Sequence, residues 1–163
     1  MACVYLGIGS NDRPQENIIL AIDELRQSFG NIKISPIYKN KAIGFTGEDF
    51  LNLVVKFNTS IEIKGIIKII ERIHKLSGRI RGSEKFSSRT LDIDLLLYGE
   101  VILDNDEVKI PRDDVLKYSF VLKPLADIAP NLIHPVTNRA ILDHWSDMSD
   151  EVHDLELVDL KLN

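Results

Sequence analysis

Between Leu91 and Gly99 the chain reads LDIDLLLYG, a run that fits only one kind of environment. It is apolar enough to be a sheet strand, yet Asp92 and Asp94 interrupt it at alternate positions. Residues two apart along a strand point to the same face, roughly 7 Å apart. Leu91, Ile93, Leu95 and Leu97 are therefore expected to face a core, with Asp92 and Asp94 together on the other side. Burying two carboxylates without partners is costly, so the fold has to give this strand one dry face and one open face.

Two parallel carboxylates repel each other, and a divalent cation beside them removes that cost. Directly upstream, residues 79–89 carry Arg79, Arg81, Lys85 and Arg89 against Glu84, a net +3 in a chain whose total is −5. Cations leading into a carboxylate pair are what a metal-bound polyphosphate requires. The first reading is an enzyme that handles magnesium-ATP. A solvated strand edge beside an ordinary basic loop fits the spacing equally well, and the leucine-rich surround favours the site.

The 163 residues are read as one domain, 1–163, with room for a sizeable core. The one cysteine, Cys3, cannot form an internal disulfide, which fits a reducing, cytoplasmic setting. The opening MACVYLGIGSN has no basic region, and its apolar run is too short for a signal peptide or a membrane span. Residues 143–163 hold seven acids against Lys161 alone, which argues against a general nucleic-acid binder. His134, His144 and His153 are not at metal-ligand spacing. Ser10 has no base at a recognisable spacing and reads as a turn or cap residue. Residues 5–11 lack the phosphate-loop signature, so phosphate binding must rest on side chains.

Along the chain, 3–9 reads as a strand ending in the turn residues Gly9, Ser10 and Asn11. A helix is expected over about 14–29, with Asp12 near its N-cap and Ile18, Ile22, Leu25 and Phe29 at helical spacing. Residues 31–38 read as a second strand and 39–48 as a loop. From Phe50 to Phe57 the chain alternates, with Leu51, Leu53, Val55 and Phe57 on one face and Phe50, Asn52, Val54 and Lys56 on the other. A helix over about 63–77 carries the stripe Ile66, Ile70 and Ile73 and stops at Gly78. A hairpin-like segment (100–110), helices near 119–128 and 138–147 with Trp145 as a core anchor, and an alternating tail at 152–162 whose phase slip at Val158 suggests a bulge or an edge strand complete the reading. The order strand–helix–strand–strand–helix–strand predicts an α+β fold with a ferredoxin-like βαββαβ core. Its antiparallel sheet would carry helices on one face and leave an open ligand-binding face, with C-terminal helices added. Phe50, Asn52, Asp92 and Asp94 should share that open face.

With these segments in order, the chain resembles 6-hydroxymethyl-7,8-dihydropterin pyrophosphokinase of the folate pathway. The resemblance covers nearly the whole chain. It rests on YLGIGSN at 5–11, FLN at 50–52, GRIR at 78–81, RTLDIDLLLYG at 89–99, SFVLKPLADIAP at 119–130 and HP at 134–135. The RTLDIDLLLYG block is the most specific of these. The resemblance implies transfer of the β,γ-pyrophosphoryl group of ATP to the pterin hydroxymethyl group, with release of AMP. It implies that Asp92 and Asp94 hold two Mg2+ ions, that Asp94 helps accept the hydroxyl proton, and that Arg79, Arg81 and Arg89 bind phosphate. Phe50 and Phe120 match the aromatics that sandwich the pterin ring, Asn52 the amide that reads its edge, and Ile43 and Gly44 complete that pocket by position. On the ATP side it implies Glu71, Leu95, Arg112 and Tyr118 beside Arg81 and Arg89. ATP and the pterin are the expected partners, with no nucleic acid or membrane, and a monomer is favoured.

Four residues and one loop depart from the resembled pattern. Arg112 stands where histidine is common, Tyr118 where an arginine is usual, His74 where helix two commonly carries glutamate, and Phe86 where the loop commonly has tryptophan. The loop at 40–43 reads NKAI in place of a threonine–proline start. A non-catalytic descendant that only binds nucleotide or pterin is the alternative these departures raise. A ferredoxin-like nucleic-acid module using Phe50 and Phe120 as stacking platforms is disfavoured by the two aspartates on the same face.

Overall fold

The computed structural model describes residues 1–40, 49–78, 91–149 and 155–162. Its elements are β1 (Ala2–Ser10), α1 (Pro14–Phe29), β2 (Lys33–Ile34), β3 (Ile37–Asn40), β4 (Phe50–Thr59), α2 (Ile63–Leu76) and β5 (Asp92–Tyr98). There follow β6 (Leu103–Asp104), β7 (Lys109–Ile110), α3 (Asp114–Lys117), α4 (Ser119–Ile128), α5 (Ile141–Ser149) and β8 (Glu156–Val158). Helices and antiparallel sheet are combined. The main sheet runs β5-β1-β4-β3-β8, with β2 also pairing β4, and β6 and β7 form a separate hairpin. At its centre, β1 pairs with β4 from Ala2↔Thr59 to Ser10↔Leu51 and with β5 on its other side.

The helices form where apolar residues recur at helical spacing. In α1, Ile18, Ala21, Ile22 and Leu25 are buried, and in α2, Ile66, Ile70 and Ile73. Both stripes join Val4, Leu6, Ile8, Leu53, Val55, Phe57, Leu91, Ile93 and Leu95 in one core. Each fully buried Leu or Ile contributes about 1.5–3 kcal/mol. Phe29 at the end of α1 stacks on Phe57 of β4, ring centroids 4.0 Å apart. Gly78 takes a left-handed φ of +86° just past α2, as a helix stop there requires.

The opposite sheet face is not left open along its length, which corrects the expectation from sequence. Tyr5, Val54, Leu96 and Leu97 meet Val115, Leu122, Leu125, Ala126 and Ile141 in a second core, and Trp145 packs against it half-buried. The C-terminal helices cover this half of the face because α4 and α5 each have an apolar side to bury. Leu97 belongs here and not with Leu95. The pairing of β1 with β5 steps from Tyr5↔Leu97 to Leu6↔Leu95, so Leu96 is an extra residue, and such a bulge inverts the alternation beyond it.

Other differences are local. The expected 31–38 strand is split into β2 and β3 at Ser35–Pro36: Pro36 has no N–H to give, and Ser35 Oγ instead accepts the Val54 N–H at 2.8 Å. Asp12 does not cap α1. Arg13 takes the cap position at φ 42°, ψ 54°, Pro14 begins the helix, and the Asp12 carbonyl accepts from Ser10 Oγ (3.1 Å) and Asn17 Nδ2 (2.7 Å). The helix α5 starts at Ile141 rather than 138, the short α3 was not anticipated, and of the two readings at Val158 it is the edge strand that forms, β8 pairing with β3. Among the described residues no helix is long and apolar enough to cross a membrane.

Candidate functional site

The half of the second face that the C-terminal helices do not cover is built from a transverse row of backbone partners. Asp92 on β5 lies opposite Gly9 on β1, Gly9 opposite Asn52 on β4, and Asn52 opposite Tyr38 on β3. One step along, Asp94 lies opposite Gly7. Glycines therefore stand between the two carboxylates and the strand that carries Asn52. At Gly9 the absence of a side chain is required: a Cβ there would come within 2.7 Å of Asn52 Oδ1. Asn52 is 7% exposed, and its Nδ2 donates to Asn40 Oδ1, which fixes the way the amide faces. Asp92, Asp94 and Phe50 are half-buried.

The second wall is α4. Tyr118 ends α3 and opens α4, and its ring stacks on Phe120 with centroids 4.9 Å apart and planes at 19°. The Lys117 ammonium lies 5.2 Å from the centre of the Tyr118 ring. The helix is tied to the sheet through Tyr38, whose hydroxyl donates to Asp127 Oδ2 at 2.5 Å, while Lys123 donates to Asp127 Oδ1 at 2.9 Å. Burial, then the hydrogen bond to Asp127, pushes the Tyr38 phenol well above its ordinary value.

Arg112 brings positive charge to the carboxylates. Its guanidinium lies 3.6 Å from Asp94 and 3.3 Å from Asp114, and its backbone N–H donates to the Leu96 carbonyl at 3.0 Å. Burial opposes the charge on Arg112, but Asp94, Asp114 and Asp92 outweigh it and hold the guanidinium above its ordinary value. From α2, His74 Nε2 accepts the backbone N–H of Ile93, between the two aspartates, at 2.9 Å. Glu71 is exposed on the same helix, and Leu95 is 6% exposed in the first core.

The structure thus brings Phe50, Asn52, Asp92, Asp94, Arg112, Tyr118 and Phe120 to one side of the sheet and its flanking helix starts. Arg79, Arg81, Arg89, Ile43, Gly44 and Phe86 lie outside the described residues. Sequence reasoning did not single out Gly9, Tyr38, Asn40 or Asp127 as parts of the site. The alternation of IYKN at 37–40 was the available signal for Tyr38 and Asn40, whereas Gly9 shows its role only across strands and Asp127 only where α4 meets β3. Among the described residues no three or more His, Cys, Asp or Glu side chains gather into a metal cage. Two carboxylates on one strand face suit a cation such as Mg2+, which uses one or two carboxylates and takes its other oxygens from water and phosphate.

Comparison with known proteins gives these features a context. Residues 5–130 match the family described as 7,8-dihydro-6-hydroxymethylpterin-pyrophosphokinase. A 2-amino-4-hydroxy-6-hydroxymethyldihydropteridine pyrophosphokinase of Aquifex aeolicus is 37% identical over 143 residues, covering 86% of this chain and 89% of that protein. The enzyme of that name from Haemophilus influenzae is 33% identical, covering 83% of this chain and 86% of that one. A solved HPPK-DHPS structure in complex with substrates superposes with a TM-score of 0.74 over 92% of this chain, at 13% identity. The chain spans 44% of that longer protein, and the likeness speaks to the fold.

Proposed function

We propose the reaction from kinship: this chain belongs to the 7,8-dihydro-6-hydroxymethylpterin-pyrophosphokinase family, and it transfers pyrophosphate from ATP to 6-hydroxymethyl-7,8-dihydropterin in folate synthesis. The pterin hydroxyl oxygen bonds to the β-phosphorus of ATP. The bond from that phosphorus to the oxygen bridging the α-phosphate breaks, and AMP leaves with that oxygen. Asp94 helps to take the hydroxyl proton. The observation that carries this reading is the row Asp92–Gly9–Asn52, which sets a carboxylate and a pterin-reading amide on one face with no side chain between them.

The roles divide across that row. Phe50 and Phe120 stack on the pterin ring, Asn52 reads its edge, and Ile43 and Gly44 complete the pocket. On the other side, Asp92 and Asp94 hold Mg2+, two ions with ATP, which supplies charge neutralisation for the phosphates. Arg79, Arg81 and Arg89 bind the phosphates, with Arg112 beside them; its contact with Asp94 at 3.6 Å supports a place next to the metal ligands. Glu71, Leu95 and Tyr118 belong to the ATP side. Such a transfer depends on positioning and charge more than on covalent chemistry. The strand order β5-β1-β4-β3, with α1 and α2 packed into one core, supports a ferredoxin-like split βαβ architecture. The single cysteine supports a cytoplasmic setting.

The test is AMP formation from ATP and Mg2+ with and without 6-hydroxymethyl-7,8-dihydropterin. Pterin-dependent AMP without ADP, lost on adding EDTA, is expected. Binding of pterin or ATP without AMP would overturn the catalytic reading in favour of a binding-only descendant.

A further inference from the structure

The strand β5 is the outer strand of the sheet, with β1 on one side and no strand of the described residues on the other. Backbone N–H groups that point off such an edge need acceptors. At Ile93 the acceptor is a side chain, His74 Nε2, at 2.9 Å. Ile93 is the residue between Asp92 and Asp94. Its side chain is 2% exposed in the first core, and its neighbours pair with Gly9 and Gly7 of β1. The carboxylate pair is therefore fixed from three directions: by the β1 ladder, by the core, and by α2 through His74.

The helix end that presents His74 is itself held. Ile70 and Ile73, on the turn that leads to it, are buried, and Ser77 Oγ donates to the His74 carbonyl at 2.7 Å. An Nε2 that accepts a hydrogen bond carries no proton, so the ring is the neutral tautomer protonated at Nδ1. A lysine or leucine at 74 would not supply this acceptor to the Ile93 N–H.

We propose that His74 is a positioning residue for the metal-binding carboxylates: by holding the backbone at Ile93 it fixes the orientation of Asp92 and Asp94 toward the cation that accompanies the nucleotide. The proposal rests on the reading of Asp92 and Asp94 as metal ligands. Partners that orient metal ligands without touching the metal change affinity or activity by about 10- to 100-fold when removed.

Three variants test it: His74→Ala, His74→Gln, whose amide oxygen reaches as far as Nε2, and His74→Asn, whose amide falls one bond short. The readouts are hydrogen exchange at the Ile93 amide by NMR, binding of Mn2+ with a non-hydrolysable ATP analogue, and pterin affinity. In His74→Ala, Ile93 exchange is expected to rise and Mn2+–nucleotide affinity to fall about tenfold, with pterin affinity unchanged. His74→Gln should restore both. If His74→Ala does not fold, His74→Asn takes its place with the same expectations. Faster Ile93 exchange with unchanged Mn2+–nucleotide binding would reduce His74 to a helix–strand tether and overturn the proposal. Wild-type protein that binds no Mn2+ with the nucleotide would overturn the metal reading itself, an outcome distinct from wild type and His74→Ala binding equally well.

Discussion

Gly9 shows how a single absent side chain organises the site. It lies between Asp92 and Asn52, and any Cβ would collide with the Asn52 amide. Gly9→Ala is expected to cost about 1–3 kcal/mol in a urea melt, as overpacking does, and to weaken pterin binding because Asn52 is displaced. Unchanged pterin affinity in a titration would remove Asn52 from the pocket. The aspartates behave differently. Both are half-buried on the part of the face beyond the C-terminal helices, so Asp92→Ala and Asp94→Ala should leave the thermal midpoint near that of wild type while AMP formation falls by at least about 100-fold, the scale of one lost electrostatic stabiliser. A variant with near-normal turnover would refute its role as a ligand. The alternation of β4 and of β5 made it legible in the sequence that Phe50 and Asn52, and Asp92 and Asp94, share a face with each other, because a period of two is local to each strand. Gly9 was read only as a turn residue, since its partners lie on two other strands.

Among the elements, the turn joining α4 to α5 carries a pH signature. His134 is 4% exposed, with Nδ1 accepting from the Val136 and Thr137 N–H groups, and its ring meets His144 edge-on at 5.9 Å. Burial, then the neighbouring His144, lowers the His134 pKa. For His144, burial comes first and then Arg139, against weaker raising effects of Asp147 and Asp143, and Thr137 Oγ1 lies 2.7 Å from its Nε2. The folded state therefore binds fewer protons than the unfolded chain once pH falls below the unfolded histidine value near 6.5. Stability from both groups is present above that pH and is lost as pH falls from about 6.5 through the lowered folded values. Denaturant melts from pH 8 to pH 5 should show this decline, and His134→Gln should flatten it. An equal slope in the variant would locate the acid sensitivity elsewhere. The sequence placed these histidines outside a metal site but gave no sign of their mutual contact, which depends on how the turn folds back.

For the whole molecule, one sheet serves two cores. The strands β1, β4 and β5 give Leu6, Val55 and Leu95 to one face and Tyr5, Val54 and Leu96 to the other. Neither layer of helices can lose its sheet without exposing the other. Unfolding followed by Trp145 fluorescence, which reports on the second core, should coincide with unfolding followed by far-UV circular dichroism. An earlier Trp145 transition would show that α4 and α5 detach independently.

By itself the sequence determined the strand–helix–strand–strand–helix–strand order of the core, the stripes of α1 and α2, the inward residues of β4, and the residue types available to the site. Each of these follows from a period or motif contained within one segment. The tertiary structure alone decided that α3, α4 and α5 close half of the second face and that the bulge at Leu96 sends Leu97 away from Leu95. It also set Gly9 between a carboxylate and an amide and gave His74 the Ile93 N–H to hold. The reason is that periodicity fixes which way a side chain leaves its own backbone. The neighbour it meets depends on pairing between segments far apart in the chain.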